Sequence, residues 1–399
     1  MKILMINKFL YPNGGSETYV IKLGEALSKY GHEVQYFGME HENRTLGNSV
    51  GAYTRNMDFH SAGILDKLKY PIKTIYNFEA RKKIRKVLDD FAPDVCHINN
   101  FNYQLTPSII LEIDKWRQES KHYCKIVYTA HDVQLACPNH MAFNPCTKEK
   151  CLKCINGQFE NCFRNRCIHG SALRSFIGTT EAKYWNNRKV YRLLDTIICC
   201  SEFMKSILDN NTLLRDKTVA LHNFISADNL EKQEKEDYVI YFGRLSFEKG
   251  MENLIEACKQ LPEVNFIIAG KGEYEEDFRG IPNVKTVGFK SGNELKELIT
   301  KARFSVYPSV WYENCPYSVM ESIALGTPVL GPNSGGIPEL IKDGYTGRLY
   351  ENEDKMALVN AIREMWENGD ETAILAAHCD ASGYLNEEEY CKHIVNYYA

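Results

Sequence analysis

Long apolar runs and a strong net charge are both absent from this sequence of 399 residues. No window of about 18 residues is apolar throughout, so we do not expect a membrane-spanning helix. The 48 basic and 52 acidic residues leave a net charge of −4, which argues against a chain-wide field for nucleic acid. The apolar stretch at the N-terminus is too short for a secretory signal. We therefore expect a cytoplasmic protein that binds no nucleic acid.

Low-complexity tracts are also absent, and the composition is that of a folded protein. Charged residues make up 25% and aromatic residues 12% of the chain, which excludes a mainly disordered one. The order strand, glycine-containing turn, helix and strand in the first 40 residues is typical of a parallel, doubly wound α/β sheet. The same alternation restarts after the polar, charged residues 226–237. We therefore predict a linker at 226–237 between two Rossmann-like domains, at 1–225 and 238–383, with a helix at 384–399 that packs back on the N-terminal domain.

Two glutamates, Glu313 and Glu321, stand eight positions apart in the segment 311–347. Pro316 suits the start of a helix, so Glu313 should precede that helix and Glu321 should lie inside it. The free N–H groups at a helix start favour an anion such as phosphate. The segment therefore points to a site for a phosphorylated ligand.

The E-x7-E spacing of these glutamates resembles that of retaining GT-B glycosyltransferases of family 4. The resemblance covers nearly the whole chain, is weakest at 40–90, and rests on further motifs in the same order: Gly14-Gly15-Ser16-Glu17, Gly31-His32-Glu33-Val34, Gly243-Arg244-Leu245 with Lys249-Gly250, Gly326-Thr327-Pro328-Val329, Gly335-Gly336 with Glu339, and Asp343-Gly344 with Gly347. It implies the GT-B fold, in which two Rossmann-like domains face each other across a cleft.

This resemblance implies a UDP, GDP or ADP sugar as donor, held mostly by the C-terminal domain, and an acceptor held mostly by the N-terminal domain. Arg244 and Lys249 would hold the diphosphate. Glu313 would bind hydroxyls of the donor sugar, and Glu321 those of the ribose. Because a guanidinium and an ammonium can stabilise the leaving group, we expect no cofactor to be required for catalysis. The other donor-binding residues that it implies are Gly14, Gly15, Asn223, Gly270, Gly272, Asn314, Cys315, Pro316 and Tyr317.

His131 follows a strand, at the place where the family has a histidine beside the reacting sugar. The expected catalytic residues are therefore His131 and Glu313. The resemblance implies retention of the anomeric configuration. Because Glu313 and Glu321 are interpreted as donor ligands, we expect attack by the acceptor hydroxyl from the front face, with the leaving phosphate as base, rather than a double displacement.

These observations predict a retaining, hexosyl-type glycosyltransferase of bacterial cell-surface glycan synthesis. Its acceptor would be a hydroxyl of a polysaccharide or of a lipid-linked glycan. Two alternatives stay open on the same fold. One is an epimerase, which would turn over a nucleotide sugar without an acceptor. The other is a non-catalytic adaptor that carries zinc, although the intact Arg244, Lys249, Glu313 and Glu321 argue against it.

Cysteines are abundant, and six of the 14 crowd into a cysteine-rich insertion at about residues 137–170. The C-x2-C pair formed by Cys151 and Cys154 is compatible with a tetrahedral zinc site. The spacing is not that of a standard zinc finger. Packed reduced thiols, an iron–sulfur cluster and disulfides are therefore alternatives to a structural zinc ion. The candidate metal ligands are Cys146, Cys151, Cys154, Cys162 and Cys167, with His140 and His169.

Residues 64–88 hold eight basic and two acidic side chains, with aromatic and aliphatic residues between them. Such a stretch can lie on anionic lipid. A solvated helix face is the alternative. We expect this segment to hold the protein peripherally at the inner membrane, where a lipid-linked acceptor would be found.

Overall fold

The computed structural model describes residues 1–56, 71–226, 233–352 and 355–399. Its internal contacts divide the chain into a first unit, Met1–His222 with Glu387–Ala399, and a second unit, Asn223–Asn386. Each unit is built on one six-stranded parallel sheet with helices around it. Both units are therefore of the doubly wound α/β class that the sequence predicts.

The sheet of the first unit has the strand order β2-β1-β3-β4-β7-β8. Its strands are β1 (Lys2–Ile6), β2 (Glu33–Phe37), β3 (Val95–Ile98), β4 (Lys125–Ala130), β7 (Thr196–Cys199) and β8 (Thr218–Ala220), and a separate pair joins β5 (Phe143–Asn144) to β6 (Glu149–Lys150). The helices of this unit are α1 (Gly15–Lys29), α2 (Phe78–Phe91), α3 (Ser108–Ser120), α4 (Glu160–Arg164), α5 (Ala172–Asn187), α6 (Glu202–Leu208) and α12 (Glu387–Tyr398).

The sheet of the second unit has the order β11-β10-β9-β12-β13-β14. Its strands are β9 (Glu236–Phe242), β10 (Phe266–Ala269), β11 (Val284–Thr286), β12 (Ala302–Val306), β13 (Val329–Pro332) and β14 (Gly347–Tyr350). Its helices are α7 (Met251–Gln260), α8 (Gly292–Lys301), α9 (Tyr317–Ala324), α10 (Lys355–Glu367) and α11 (Gly369–His378).

The order of the strands determines where a ligand can bind in each unit. In the first sheet, β1 lies between β2 and β3. In the second sheet, β9 lies between β10 and β12. The chain therefore changes direction across the sheet between β1 and β3, and again between β9 and β12. The carboxyl ends of the strands at such a switch point form the usual ligand crevice of an open α/β sheet.

Helix α12 is anchored to the first unit by a chain of buried hydrogen bonds. Tyr390 Oη lies 2.8 Å from Tyr19 Oη, and Tyr398 Oη lies 2.6 Å from His97 Nδ1. His97 Nε2 lies 2.7 Å from Thr129 Oγ1, so the imidazole joins the helix to β4. Burial and, to a smaller extent, the nearby His131 lower the pKa of His97 to about 3, so His97 is neutral.

Some element boundaries differ from those that the sequence indicates. Strand β9 begins at Glu236, inside the predicted linker at 226–237, because Glu236 pairs with Ala302 of β12. Residues 227–232 of that linker lie outside the described residues. Asn223 is grouped with the second unit.

We expect Tyr398→Phe to lower the free energy of unfolding by about 1–3 kcal/mol, because it leaves one ring nitrogen of the buried His97 without its partner. Thermal and urea unfolding would measure the loss. Tyr397→Phe, one position earlier on α12, is the matched control and should unfold like the wild type. Equal stability of the two variants would contradict the role of the His97 bond.

Candidate functional site

The loops after β9 and β12 meet at the switch point of the second unit. The loop after β9 begins with Gly243 and Arg244 and reaches a 3-10 turn, Phe247–Lys249. Gly250 follows this turn with a positive φ of 79°, and a Cβ atom there would lie 1.9 Å from the carbonyl oxygen of Pro308. Only glycine therefore allows this turn to pack on the loop after β12. The close approach brings the ammonium of Lys249 to that loop.

Glu313 is a buried carboxylate that is held by three donors on one oxygen. Lys249 Nζ lies 2.6 Å from Glu313 Oε1, and Trp311 Nε1 also donates to it at 2.6 Å. Ser309 Oγ donates to the same oxygen at 2.9 Å. All three bonds end on Oε1, so Oε2 keeps the capacity to accept hydrogen bonds from a ligand.

The charge of Glu313 is stabilised by these contacts. Burial alone would raise the pKa of this carboxyl, but Lys249 and the hydrogen bonds from Trp311 and Ser309 outweigh it and lower the pKa overall. The ammonium of Lys249 also donates to Tyr307 Oη at 3.1 Å and lies over the ring of Trp311, 5.5 Å from its centroid. The site thus contains an ionised acceptor and a positioned cation in a mostly dry environment.

Helix α9 begins just after Glu313, as the position of Pro316 predicts. No side chain caps this helix start, so its first N–H groups can bind an anion. Asn314, Pro316 and Tyr317 are half-buried around this start, and Glu321 lies half-buried inside the helix. The backbone N–H of Gly336 donates to the carbonyl oxygen of Glu313 at 2.8 Å, which fixes the loop from the β13 side.

Asn223 and Cys315 are bound to each other in the second unit. Asn223 Nδ2 donates to the carbonyl oxygen of Cys315 at 3.0 Å, and the backbone N–H of Asn223 points to Cys315 Sγ at 3.4 Å. Burial raises the pKa of the Cys315 thiol to about 12, so this thiol is not a nucleophile at neutral pH. Within the described ranges, the buried Asn223 Oδ1 lacks a hydrogen-bond partner. A ligand hydroxyl could supply one.

The predicted residues Arg244, Gly270 and Gly272 lie at the same edge of the sheet. The Arg244 side chain is exposed. A Cβ atom on Gly270 would lie 1.9 Å from the carbonyl oxygen of Gly243, and one on Gly272 would lie 2.1 Å from that of Leu245. These glycines therefore let the loops after β9 and β10 pack together. This close packing of the two loops explains why glycine stands at both positions, whether or not a ligand binds there.

In the first unit, Gly14 and Gly15 begin α1 after β1. Gly14 is the residue before the helix, and no side chain caps its N–H groups. Glu17 is buried and accepts from Asn7 Nδ2 at 3.0 Å, so it anchors the loop. Asn100, which follows β3, donates to Ser16 Oγ at 2.8 Å. Its buried Oδ1 lacks a partner in the part of the chain that the structure describes.

His131 stands at the end of β4, and its protonation is determined by Asn99. The two amide hydrogens of Asn99 face the carbonyl oxygens of Ile6 and His97, at 3.5 and 3.4 Å. Asn99 Oδ1 must therefore accept the hydrogen bond from His131 Nε2, 2.9 Å away. Burial lowers the pKa of His131 to about 3. The imidazole is therefore neutral, with its proton on Nε2 and a lone pair on Nδ1.

The sequence did not predict three further polar side chains that lie at the carboxyl ends of strands in the first sheet. Lys8 Nζ lies 3.3 Å from Asn102 Oδ1, and Asn102 Nδ2 makes a short contact with His140 of the insertion. Burial raises the pKa of Asp132 to about 6, although Gln134 and Lys8 oppose this change. Their places in the sequence could have identified them, because Lys8, Asn102 and Asp132 each follow closely on a strand.

The predicted set of five cysteine ligands does not come together. Cys154, Cys162 and Cys167 pack in one buried cluster, but Cys146 is exposed and Cys151 is half-buried. Cys137, which the prediction left out, shares a hydrogen bond between thiols with Cys154, and Cys162 shares one with Cys167. Among the described residues, no three His, Cys, Asp or Glu side chains are grouped as a metal site requires. The structural zinc ion therefore stays a prediction, and Cys146 and Cys151 lie outside the buried cysteine cluster.

The basic segment at 64–88 is described only from residue 71 onwards. The apolar face of α2 is buried, with Ala80, Ile84 and Val87 in the core. Arg81 and Arg85 both form ion pairs with Glu112. In the described ranges, no helix is both long and apolar enough to cross a bilayer. The membrane contact through this segment stays a prediction.

We expect Lys249→Ala to lower the free energy of unfolding by about 3–5 kcal/mol, because it leaves the buried Glu313 carboxylate without its cation. Urea unfolding of the full chain would measure the change. Combining it with Glu313→Gln removes the stranded charge, so the double variant should be more stable than Lys249→Ala alone. A single variant as stable as the wild type would contradict the ion pair.

The ion pair between Lys249 and Glu313 also predicts that the free energy of unfolding depends on pH. Because the pKa of Glu313 is lowered in the folded chain, its stabilisation is complete above the ordinary carboxyl pKa of 4.5 and is lost as the pH falls through the folded value. The difference in unfolding free energy between the wild type and Glu313→Gln should therefore shrink in acid. A difference that stays constant from neutral pH into acid would contradict this prediction.

Asn99→Asp should raise the pKa of His131 by one unit or more, because a carboxylate beside Nε2–H favours the imidazolium. Nitrogen chemical shifts of the ring, followed against pH, would report both the pKa and the tautomer. In the wild type we expect the proton on Nε2 at neutral pH. The exposed His393 is the internal control, and its ring signals should be the same in both proteins. A wild-type ring protonated on Nδ1 would contradict the assignment.

Comparison with known proteins supports the fold and identifies the family. Solved structures that cover the whole chain include a sucrose-phosphate synthase of Thermosynechococcus elongatus, with a TM-score of 0.68, 18% identity and 98% of that chain covered. An Anabaena protein, HepE, solved with UDP and glucose, has a TM-score of 0.66 at 17% identity, with 99% of its chain covered. The chain therefore has a two-domain α/β fold of the GT-B type.

Among curated proteins, an uncharacterized glycosyltransferase of Methanocaldococcus jannaschii is 29% identical over 207 residues, which are 50% of this chain and 58% of that protein. A 42.6 kDa protein from the cps region of Klebsiella pneumoniae is 23% identical over 366 residues, which are 85% of this chain and 87% of the relative. A putative colanic acid biosynthesis glycosyltransferase of Escherichia coli is 32% identical over 140 residues, 31% of this chain and 34% of that protein.

Two family models together span most of the sequence. The model described as glycosyl transferases group 1 matches residues 224–383, which form most of the second unit. The model described as Glycosyltransferase Family 4 matches residues 13–229, which is more than half of the chain. On this match and on the fold, the chain belongs to glycosyltransferase family 4.

Proposed function

We propose that the chain is a retaining, hexosyl-type glycosyltransferase that transfers a sugar from a nucleoside-diphosphate donor to a hydroxyl of a polysaccharide or lipid-linked glycan. The observation that carries the donor site is the fixed carboxylate of Glu313 beside the ammonium of Lys249. This pair stands at the switch point of the second sheet, directly before the uncapped start of α9. A sugar diphosphate needs this combination, since its hydroxyls require an acceptor and its phosphates require a cation and N–H donors.

In this proposal, Arg244 and Lys249 hold the diphosphate. Arg244 is exposed and can reach a ligand with its planar fork, whereas Lys249 supplies a point charge next to Glu313. Oε2 of Glu313 accepts from the sugar hydroxyls, Asn223 Oδ1 accepts from a further hydroxyl, and Glu321 binds the ribose. These two cations stabilise the charge on the departing phosphate, so we propose that the transfer needs no metal cofactor.

The first unit binds the acceptor and contributes His131. Its neutral imidazole is held by Asn99, so it can orient a hydroxyl by hydrogen bonding but does not act as a cationic acid. Glu313 is a poor nucleophile, since its charge is neutralised by Lys249 and three donors occupy Oε1. We therefore favour front-face attack by the acceptor hydroxyl, with the leaving phosphate taking its proton.

The relatives suggest a biological setting for this reaction. The Klebsiella relative is encoded in the cps region, and the Escherichia coli relative is named for colanic acid biosynthesis. We infer that the acceptor is a growing surface glycan. The proposed donor residues of the second unit are the same whichever glycan is the acceptor.

We expect one of UDP, GDP and ADP to raise the midpoint of thermal unfolding by several degrees, since a ligand that binds only the folded state stabilises it by mass action. Differential scanning fluorimetry of the full chain with each nucleotide would identify the base. Arg244→Ala should remove the shift. Arg279→Ala is the matched control, because Arg279 is an exposed arginine of the same unit that pairs with Glu276.

The anomeric configuration of the product, read from proton couplings by NMR, tests retention. A product with the inverted configuration would contradict the front-face mechanism. Turnover of the nucleotide sugar without any acceptor would favour the epimerase. Failure of all three nucleotides to shift the unfolding midpoint would favour the adaptor.

A further inference from the structure

Three large apolar side chains stand exposed together on the cysteine-rich insertion. Phe163 is 42% exposed, Leu173 68% and Phe176 54%. Helix α4 packs beside α5, and the rings of Phe163 and Phe176 meet edge to face with centroids 5.7 Å apart and an angle of 72°. Leu173 lies three residues before Phe176 on α5, so both project from the same side of that helix. The three side chains therefore form one apolar patch.

Three arginines lie close in sequence to the residues of this patch. Arg164, Arg166 and Arg174 are all exposed, and none of them forms an ion pair within the residues that the structure describes. Residues 146–183 contain seven basic and three acidic side chains, although the whole chain has a net charge of −4. We call the three apolar and three arginine side chains together the insertion face.

The base of the insertion face is rigid. The opposite sides of α4 and α5 contribute Cys162 and Ala182 to a buried cluster with Cys154, Phe159 and Cys167. Glu160 on α4 is paired with Lys183 on α5, which joins the two helices again. The two helices that carry the apolar patch are thus packed together over a buried cluster. The three apolar side chains point away from this cluster and are exposed.

Contiguous exposed apolar side chains rimmed by polar residues mark surfaces that bind a protein, a ligand or a membrane. A glycan partner would need flat aromatic faces, but Leu173 offers none and the edge-to-face pair occupies part of both phenylalanine rings. Hydrocarbon accepts leucine and phenylalanine equally well, and arginine beside them is attracted to anionic headgroups. The composition therefore favours a lipid surface over a sugar chain.

Helix α2, within the segment that the sequence singled out for this role, is less suitable. Most of its apolar side chains pack into the first unit, its Arg81 and Arg85 are paired with Glu112, and Phe78 is its one large apolar side chain that is exposed. In the part of the chain that the structure describes, both components of the insertion face are exposed. We propose that the insertion face binds the surface of a bilayer that contains anionic lipid. This goes beyond the proposed sugar transfer and is tested without it.

The experiment is cosedimentation of the full chain with vesicles of equimolar phosphatidylglycerol and phosphatidylcholine, and with vesicles of phosphatidylcholine alone. We expect binding to the first, weaker binding to the second, and a loss with increasing salt. The double variant Leu173→Ser with Phe176→Ser should lower the partition coefficient by about tenfold. Changing the three arginines to glutamine should lower it by about fivefold for each residue at low salt.

Two controls separate this face from other surfaces. Phe289→Ser removes a phenylalanine of the second unit that is 67% exposed, and it should bind like the wild type. Lys82→Gln with Lys86→Gln removes exposed charges from α2, and it should lower binding less than the arginine variant. Because all substituted side chains are exposed, the unfolding midpoint of every variant should match that of the wild type.

Failure of the wild type to bind anionic vesicles would overturn the proposal, as would insertion-face variants that bind as well as the wild type. If those variants kept vesicle binding but lost self-association in analytical ultracentrifugation, the face would join two copies of this chain instead. If they kept vesicle binding but lost retention on dextran sulfate, the face would bind a polyanionic glycan. Each of these results contradicts the lipid assignment.

Discussion

The buried ion pair between Lys249 and Glu313 is the interaction on which the site in the second unit depends. A carboxylate cannot be buried without compensation, because its desolvation costs several kcal/mol. Here the ammonium, an indole N–H and a hydroxyl supply that compensation, and each donor comes from the loop after β9 or the loop after β12. Gly250 permits this arrangement, since any side chain at that position would collide with Pro308. The glycine, the cation and the carboxylate therefore act as one unit.

The first unit uses neutral hydrogen bonds at the corresponding edge of its sheet. Asn99 fixes the tautomer of His131, and His97 connects β4 to helix α12. Burial keeps both histidines neutral, so the environment of the predicted catalytic histidine is nearly free of charge changes around neutral pH. Asp132 is the exception, since burial raises its pKa to about 6. The two units thus present different chemistry, with a buried ion pair at the centre of one site and two neutral histidines at the edge of the other sheet.

Much of the fold could be predicted because glycine turns, buried apolar runs and helix starts are local signals. The start of α9 lies where Pro316 indicates, and Glu313 and Glu321 occupy the loop and the helix as expected. Contacts between distant segments carry no such signal. The bond from Lys249 to Glu313 spans 64 positions, and the one from Asn99 to His131 spans 32. The cysteines show the same limit, because C-x2-C spacing predicts proximity of Cys151 and Cys154 but gives no signal for the contact between Cys137 and Cys154.

In our proposal, Arg244, Lys249 and the start of α9 hold the diphosphate of the donor next to Glu313. Amide hydrogen exchange on the full chain, with and without the nucleoside diphosphate that stabilises it, tests this claim most directly. We predict slower exchange in residues 243–250 and 313–320, and little change in α10 and α11 of the same unit. Unchanged exchange in both of these segments, with protection elsewhere in the chain, would contradict it.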